Sequence, residues 1–302
     1  MSSAPRVVVC GPASWNHLIE LDRLPEPVPH MQFARQAWHT IGGTSAGKAL
    51  HLAGLGVDVR LWASVGADED GSRLRERLEQ AGVVVEAIAS EQTERHVNLM
   101  AEGGGRVSLY VSTPSTPSAD AVEAAVSAVA AADLAVIDLS ELGRLVLEAM
   151  PARRAPLWMD LHDYDGASAF HEPFLRAAEG VFMNDDGTDD PWKLMASCLD
   201  RGPRLAVCTL GAKGAIALEA DGTRHEVAAV PATVVDTNGA GDAFMAGFLA
   251  ARLRTEPVES ALRAAAEQAR VAIETEHLHP VLDCPPGEDD FVRPSGSTAQ
   301  NG

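Results

Sequence analysis

Residues 234–250 read VVDTNGAGDAFMAGFLA. A short apolar entry meets Asp236-Thr237-Asn238, then Gly239-Ala240-Gly241-Asp242, then a helix. Phe244, Gly247, Phe248 and Ala251 recur at helical spacing and mark its buried face. The glycines let the chain turn sharply and leave backbone N–H groups unobstructed. The positive end of the helix dipole stands behind them, so the loop is an anion hole. A carboxylate in the first helical turn, Asp242, falls beside the place an anion would take. That pairing suits phosphoryl transfer: donors stabilise the moving group, and the acid accepts a hydroxyl proton. A plainer reading is an acidic residue that merely complements the dipole.

Working outward, strand and helix patterns alternate. Val7–Cys10 and Val57–Val65 read as strands, and a helical pattern runs from the glycine-rich loop at 42–47 through Leu55. Ser72–Gln80 reads as an exposed charged helix. Further on, helix 119–132 leads to strand 134–139, helix 142–150 to strand 157–161, and a helix ending near Ala178 to strand 180–183. Helix 192–199 leads to strand 205–210, then a hairpin (214–218 and 225–230), and helices 239–253 and 258–274 close the fold. Such alternation implies a mostly parallel sheet with helices on both faces. The alternating runs 96–101 and 106–111 stand outside it and suggest a small β-sheet lid. One domain over 1–284 is expected, with lid strands within about 12–41 and 93–112 and a disordered tail from Pro285.

The 302 residues are 46% hydrophobic and 22% charged, an ordinary globular composition. No apolar run approaches the ~20 residues of a membrane span, and the N-terminus lacks a signal peptide's basic region. A net charge of −19 argues against nucleic-acid binding. Cys10, Cys198, Cys208 and Cys284 form no CxxC pair, which fits reduced thiols and a cytoplasmic location.

Gly42–Lys48 reads GGTSAGK and fits GxxxxGK, but Ala49 follows where a P-loop needs Ser or Thr for Mg²⁺. Residues 36–41 are also poor as a buried parallel strand. The P-loop reading is therefore set aside.

Taken together, DTNGAGD and its small-residue helix resemble the C-terminal motif of the ribokinase-like, or PfkB, carbohydrate kinases. Gly42-Gly43 with a following helix, strand and VGADEDG (65–71) resembles the family's N-terminal motif. TLGAKG (209–214) resembles its nucleotide loop, and GPASWNHLIELDRLP (11–25) its opening. The resemblance covers roughly residues 6–275, in the family's order. It implies an α/β body, a three-layer sandwich, under a β-sheet lid. Asp242 would be the base, with Gly239, Ala240 and Gly241 as the anion hole. ATP would be held around Asn184, Thr209, Gly211, Gly214, Asp236 and Thr237. Mg²⁺ would accompany it, and the family often uses a monovalent cation such as K⁺ near Asp236. The acceptor would lie under the lid against Asn16, Gly42, Gly43, Lys48, His96 and Asn98. A homodimer through the lid is a further implication.

The chain departs from the family's pattern at several points. Asn16 stands where many sugar kinases carry Asp. Gly47 falls where Asn is usual, with Lys48 next. Losing an acid and gaining a lysine motivates an anionic acceptor, against the alternative of a solvated Lys48. Period-two alternation puts His96, Asn98 and Met100 on one face. Asn184-Asp185-Asp186-Gly187 lacks the Glu expected at 187, although Asp186 could substitute. His277 and His279 are expected at a solvated helix end rather than on a metal, and no protein metal site is expected. His162-Asp163-Tyr164-Asp165 follows a strand's C-terminal edge, where ligands bind in open α/β sheets, and Asp160 could organise the phosphate region, with structural support as the equal alternative.

The function expected is ATP-dependent phosphorylation of a hydroxyl on a sugar or sugar-like small molecule. A nucleoside kinase is the alternative within the family. A degenerate sugar- or nucleotide-binding sensor is the alternative outside catalysis. A dinucleotide oxidoreductase is disfavoured because no GxGxxG follows the first strand.

Overall fold

The computed structural model describes residues 5–102, 105–150 and 155–283. The chain opens with β1 (Arg6–Cys10), β2 (Ser14–Leu21), β3 (Gln36–Gly42), α1 (Thr44–Gly54), β4 (Asp58–Gly66), α2 (Glu69–Gln80) and β5 (Val84–Ser90). Then come β6 (Glu94–Ala101), β7 (Arg106–Ser112), α3 (Ala119–Ala130), β8 (Leu134–Ile137), α4 (Glu141–Ala149) and β9 (Leu157–Asp160). Last are α5 (Glu172–Ala177), β10 (Gly180–Asn184), α6 (Pro191–Leu199), β11 (Leu205–Thr209), β12 (Ala215–Glu219), β13 (Arg224–Val227), α7 (Ala240–Leu253) and α8 (Val258–Ile273).

β1 shows why the body is layered. Its residues Val7–Cys10 are all buried, because helices cover both faces of the sheet. Val7 and Val9 join one core with Ala46, Leu50, Leu74, Phe248 and Leu262, from α1, α2, α7 and α8. Val8 and Cys10 join a second with Val122, Val146, Phe174 and Leu194, from α3 to α6. Each large apolar side chain so buried is worth roughly 1.5–3 kcal/mol. Side-chain caps start several of these helices: Asp68 accepts from the Gly71 N–H, Ser140 from Gly143 and Asp190 from Lys193.

The large sheet has nine strands in the order β13-β12-β11-β10-β9-β8-β1-β4-β5. Pairing is parallel from β10–β11 across to β4–β5, and antiparallel at β11–β12–β13. Connections leave β1 in both directions, so the switch in strand order lies beside β1 and β8. The strand ends beside such a switch are where open α/β sheets generally bind their ligands.

The small sheet has four strands, β3-β2-β6-β7. Its register sets Asn16 opposite Thr40 and His96, and Leu18 opposite Trp38 and Asn98. His96 faces Tyr110 and Asn98 faces Ser108 on the other side. These even-numbered positions share one face by the pleat. β3, the stretch ahead of the false P-loop, is an antiparallel strand of this sheet.

Two elements differ from the sequence reading. β5 was not anticipated; it is a half-exposed edge strand whose alternation is weak. The glycine-rich stretch is mostly not a loop, because α1 begins at Thr44. The tail from Cys284 lies outside the described residues. Cys10, Cys198 and Cys208 are buried and unbridged, and burial raises all three thiols, to about 12, 11 and 12.

Candidate active site

α7 begins behind a left-handed Gly239 (φ 75°), where an added Cβ would meet Leu278 Cδ2 at 2.8 Å. The helix's first internal bond runs from the Ala243 N–H to Gly239 O at 2.9 Å. The N–H groups before it belong to the set that an α-helix leaves without helical partners. Nothing lies within 4 Å of a Cβ placed on Gly241, so the backbone is open to a ligand there.

Two cavities meet at this point. One, of about 370 Å³, lies under the small sheet and includes Asn16, Gly42, Gly43, His96, Asn98, Gly239 and Asp242 in its wall. The other, of about 680 Å³, has Thr209, Gly211, Gly214 and Ala240 at one side and an apolar slot of Val230, Ala266, Ala269 and Ile273. Asn184, Thr237 and Gly241 line both. Asp236, expected on the nucleotide side, lines the first cavity instead, and both its oxygens accept from Asn238 (backbone N–H at 2.9 Å, Nδ2 at 2.8 Å).

Beneath Asp242 is a buried charge cluster. Lys48 Nζ lies 2.7 Å from Asp242 Oδ1, 3.1 Å from Asp160 Oδ2 and 3.2 Å from Asp138 Oδ1. The Lys48 side chain is 0% exposed. Burial alone would discharge it, but Asp138, Asp242 and Asp160 together hold it protonated, above the ordinary lysine range. Asp242 is pushed by burial up to about 6; Lys48 pulls it down, while Asp160 and Asp138 push it further up. Asp160 resists its own burial and is lowered, by His162 and Lys48. Asp138 also accepts from Ser45 Oγ at 2.7 Å and Thr44 Oγ1 at 3.2 Å, tying the cluster to the start of α1.

Lys48 is therefore not a solvated helix residue, and it does not line the cavity under the small sheet. Its charge is spent on carboxylates, and the case it made for an anionic acceptor falls away. His277 and His279 also need correction. His277 is buried in the wall of the first cavity with Nδ1 2.7 Å from Thr40 Oγ1, and burial lowers its basicity. His279 packs edge-on against His51 at 4.7 Å. The segment after α8 returns over the cavity, so it is no solvated end.

The wall is rich in hydrogen-bonding groups. His96 Nε2 is 2.8 Å from Glu94 Oε1, and its ring lies 4.0 Å from that of Tyr110. Asn98 Oδ1 is buried with no partner among the described residues, so it is an acceptor left for a ligand. Asn16 receives the Ser14 hydroxyl at 2.8 Å, and an added Cβ on Gly42 would lie 2.0 Å from its Nδ2. Arg106 bonds Asn238 across the cavity mouth. Thr40, Glu94, Arg106, Tyr110 and Glu276 escaped the sequence reading; for the lid residues, period-two alternation on β3, β6 and β7 was the available signal.

Asp185 and Asp186 line the second cavity beside Asn184, whose Oδ1 accepts from the Asp186 N–H at 3.0 Å. A Cβ on Gly187 would come within 2.5 Å of Asp163 O, so packing forbids a longer residue there. Tyr164 is buried and bonded by Arg201, and Asp165 caps the following turn, so these two are structural support, whereas His162 lines the first cavity beside Asp160.

Comparisons with known proteins give the family. The chain is 31% identical over 269 residues to acarbose 7(IV)-phosphotransferase of Actinoplanes sp., covering 87% of this chain and 90% of that one. It is 29% identical over 271 residues to an ATP-dependent ribose-1-phosphate kinase of Halopiger xanaduensis, covering 85% and 88%. The solved structure of a microbiome-derived acarbose kinase, Mak1, superposes with a TM-score of 0.80 at 26% identity, over 90% of this chain and 94% of that one. The profile of the pfkB family carbohydrate kinases matches residues 4–281. With a ribokinase-like fold and that match over nearly its whole length, the chain belongs to the pfkB family of carbohydrate kinases and is an ATP-dependent enzyme of that class.

Proposed function

We propose that the enzyme transfers the γ-phosphoryl group of ATP to a hydroxyl of a neutral sugar or sugar-like molecule, with Asp242 as base. The observation that carries this reading is the meeting of the two cavities at the α7 N-terminus, beside Asp242. The acceptor hydroxyl would lie against Asp242, and the backbone around Gly239–Gly241 would hold the phosphoryl oxygens. The transition state is loose, so positioning outweighs base strength. The lid keeps water, the competing acceptor, away from the phosphoryl group. The apolar slot beside Ala266 and Ile273 suits a nucleobase.

Mg²⁺ usually takes one or two carboxylates together with substrate phosphates. Asp185 and Asp186 at the cavity lip fit that role and would hold it, where it would neutralise phosphate charge. The monovalent cation beside Asp236 rests on the family resemblance. One experiment tests the whole reading: ADP release across a panel of sugars, glycosides, phosphosugars and nucleosides, with magnesium or potassium omitted in turn. Silence across the panel with ATP still bound would favour a sensor. Equal rates without potassium would remove the monovalent ion.

A second reading, a phosphosugar acceptor, is favoured by the ribose-1-phosphate kinase relative. Arg106 would then be its cation. In that case Arg106→Ala raises KM for the phosphosugar and leaves neutral sugars unaffected; phosphosugars failing in the panel end it.

Asn98 gives a narrower prediction. Its unpartnered Oδ1 would accept a substrate hydroxyl, so Asn98→Ala is expected to raise the acceptor's KM about tenfold. The KM for ATP should stay put. Equal changes in both would remove Asn98 from the acceptor site.

The lid's outer face offers Val107, Leu109 and Val111, 39%, 50% and 57% exposed, on an edge strand. We propose that a second copy covers them. Light scattering at micromolar concentration should give a dimer, and Leu109→Glu a monomer. A monomeric parent protein overturns this.

A further inference from the structure

Gly47 and Lys48 are adjacent, and both touch Asp242. A Cβ on Gly47 would lie 2.8 Å from Asp242 Oδ2, 3.1 Å from its Cβ and 3.2 Å from its Cγ. The missing side chain is thus the space that the Asp242 carboxylate fills. One residue on, Lys48 bonds Oδ1 of the same carboxylate at 2.7 Å. Among the described residues Oδ2 takes no hydrogen bond, and Asp242 stands in the acceptor wall. An ammonium has three donors. Here they meet carboxylates from three different places: Asp138 after β8, Asp160 at the end of β9 and Asp242 in the first turn of α7.

We propose that Lys48 is a positioning residue for phosphoryl transfer: with Gly47 making room, it grips Oδ1 of Asp242 and leaves Oδ2 as the oxygen that meets the acceptor hydroxyl. The proposal rests on the reading of Asp242 as base. Lys48 also locks the first turn of α7 to the strand ends, so the base and the anion hole move as one body. It supplies the only formal positive charge that the ion pairs of the described residues place on Asp242, against two neighbouring carboxylates. A polar residue without charge could satisfy one hydrogen bond but could not offset Asp138 and Asp160. The other titratable groups in the cavity wall are Glu94, His96, Arg106, Tyr110, His162, Asp236, Glu276 and His277. They stay constant in the comparison below.

The test is the pH dependence of kcat in the full-length enzyme, with Lys48→Met, Asp138→Asn and Asp242→Asn beside the parent. Lys48→Met is expected to lower kcat about a hundredfold through loss of placement. It should move the acid limb of the profile up by about one pH unit, since a neighbouring cation favours the ionised carboxylate. The KM for ATP should stay within about twofold, because Lys48 touches no nucleotide wall. Asp138→Asn keeps its shape and removes a negative charge, so its limb should move the opposite way, to lower pH. The limb shifts report the charges around Asp242; placement is read from kcat on the pH plateau, where Asp242 is ionised in every variant that keeps it and a merely structural lysine would leave turnover unchanged. If Lys48→Met does not fold, the Lys48→Met/Asp138→Asn double variant decides: it loses one charge of each sign and the grip on Oδ1, so its kcat should still fall about a hundredfold, and parental kcat overturns the role. Parental kcat on that plateau in Lys48→Met, while Asp242→Asn is inactive, overturns the role of Lys48. Parental turnover in Asp242→Asn overturns the base itself.

Discussion

Asp242→Asn is expected to lower turnover about 10²- to 10⁴-fold while ATP still binds. Asn keeps the shape of Asp and can still accept from Lys48, so placement in the cavity is preserved. What it loses is a site for the acceptor proton. The same substitution should not weaken the fold. The folded pKa of Asp242, about 6, lies above the ordinary 3.8. The folded state therefore binds the proton more tightly than the unfolded state does. This stability cost is absent below about pH 4, grows as pH rises between the two values and is complete above about 6. A shift of this size corresponds to roughly 3 kcal/mol as an order of magnitude. At pH 7.5 the variant should melt at or above the parent temperature, with Lys48 still held by Asp138 and Asp160. Calorimetry beside the ADP-release assay reads both effects. A folded variant with parental turnover would remove Asp242 from the chemistry.

Gly47→Asn is expected to be nearly as damaging, although it moves the chain toward the residue usual in the family. The added Cβ alone would sit 2.8 Å from Asp242 Oδ2, and the amide would extend further into the same space. α1 and α7 pack directly against each other here, so the strain falls on Asp242 or on the helix spacing. Overpacking of this kind costs about 1–3 kcal/mol. A carboxylate displaced by about 1 Å loses roughly a hundredfold in rate. The expected outcome is a lowered Tm together with a kcat loss larger than any change in KM for ATP. Parental kcat in Gly47→Asn would show that the carboxylate has room the geometry denies it.

Much of this architecture was legible because it is written locally. The Gly239–Asp242 turn, the small-residue face of α7 and the apolar runs of β1, β8 and β11 are contiguous patterns. The close α7–α8 contact is local too: Gly247 spares the space a Cβ would share with Gln268 Cβ at 2.7 Å. What stayed hidden depends on partners far along the chain. Lys48 meets Asp242 across 194 residues, and His277 meets Thr40 across 237. A lysine in a helical pattern reads as solvated unless the carboxylates that bury it can be seen. His277 read as exposed for the same reason. β5 escaped because an edge strand has one open side and therefore a weak hydrophobic alternation.

The contact between Gly47 and Asp242 also constrains how such a site can arise. With a side chain at 47, the carboxylate cannot take the place in which Lys48 grips it. With a lysine at 48 and that place closed, a buried ammonium would keep two carboxylates and lose its shortest bond. Glycine alone, by contrast, leaves only a small gap beside the helix. The tolerable order of substitution is glycine first and lysine second, and reversal must begin with the lysine. Among descendants of one ancestor, lysine at 48 should then occur together with glycine at 47, while glycine should also occur without the lysine.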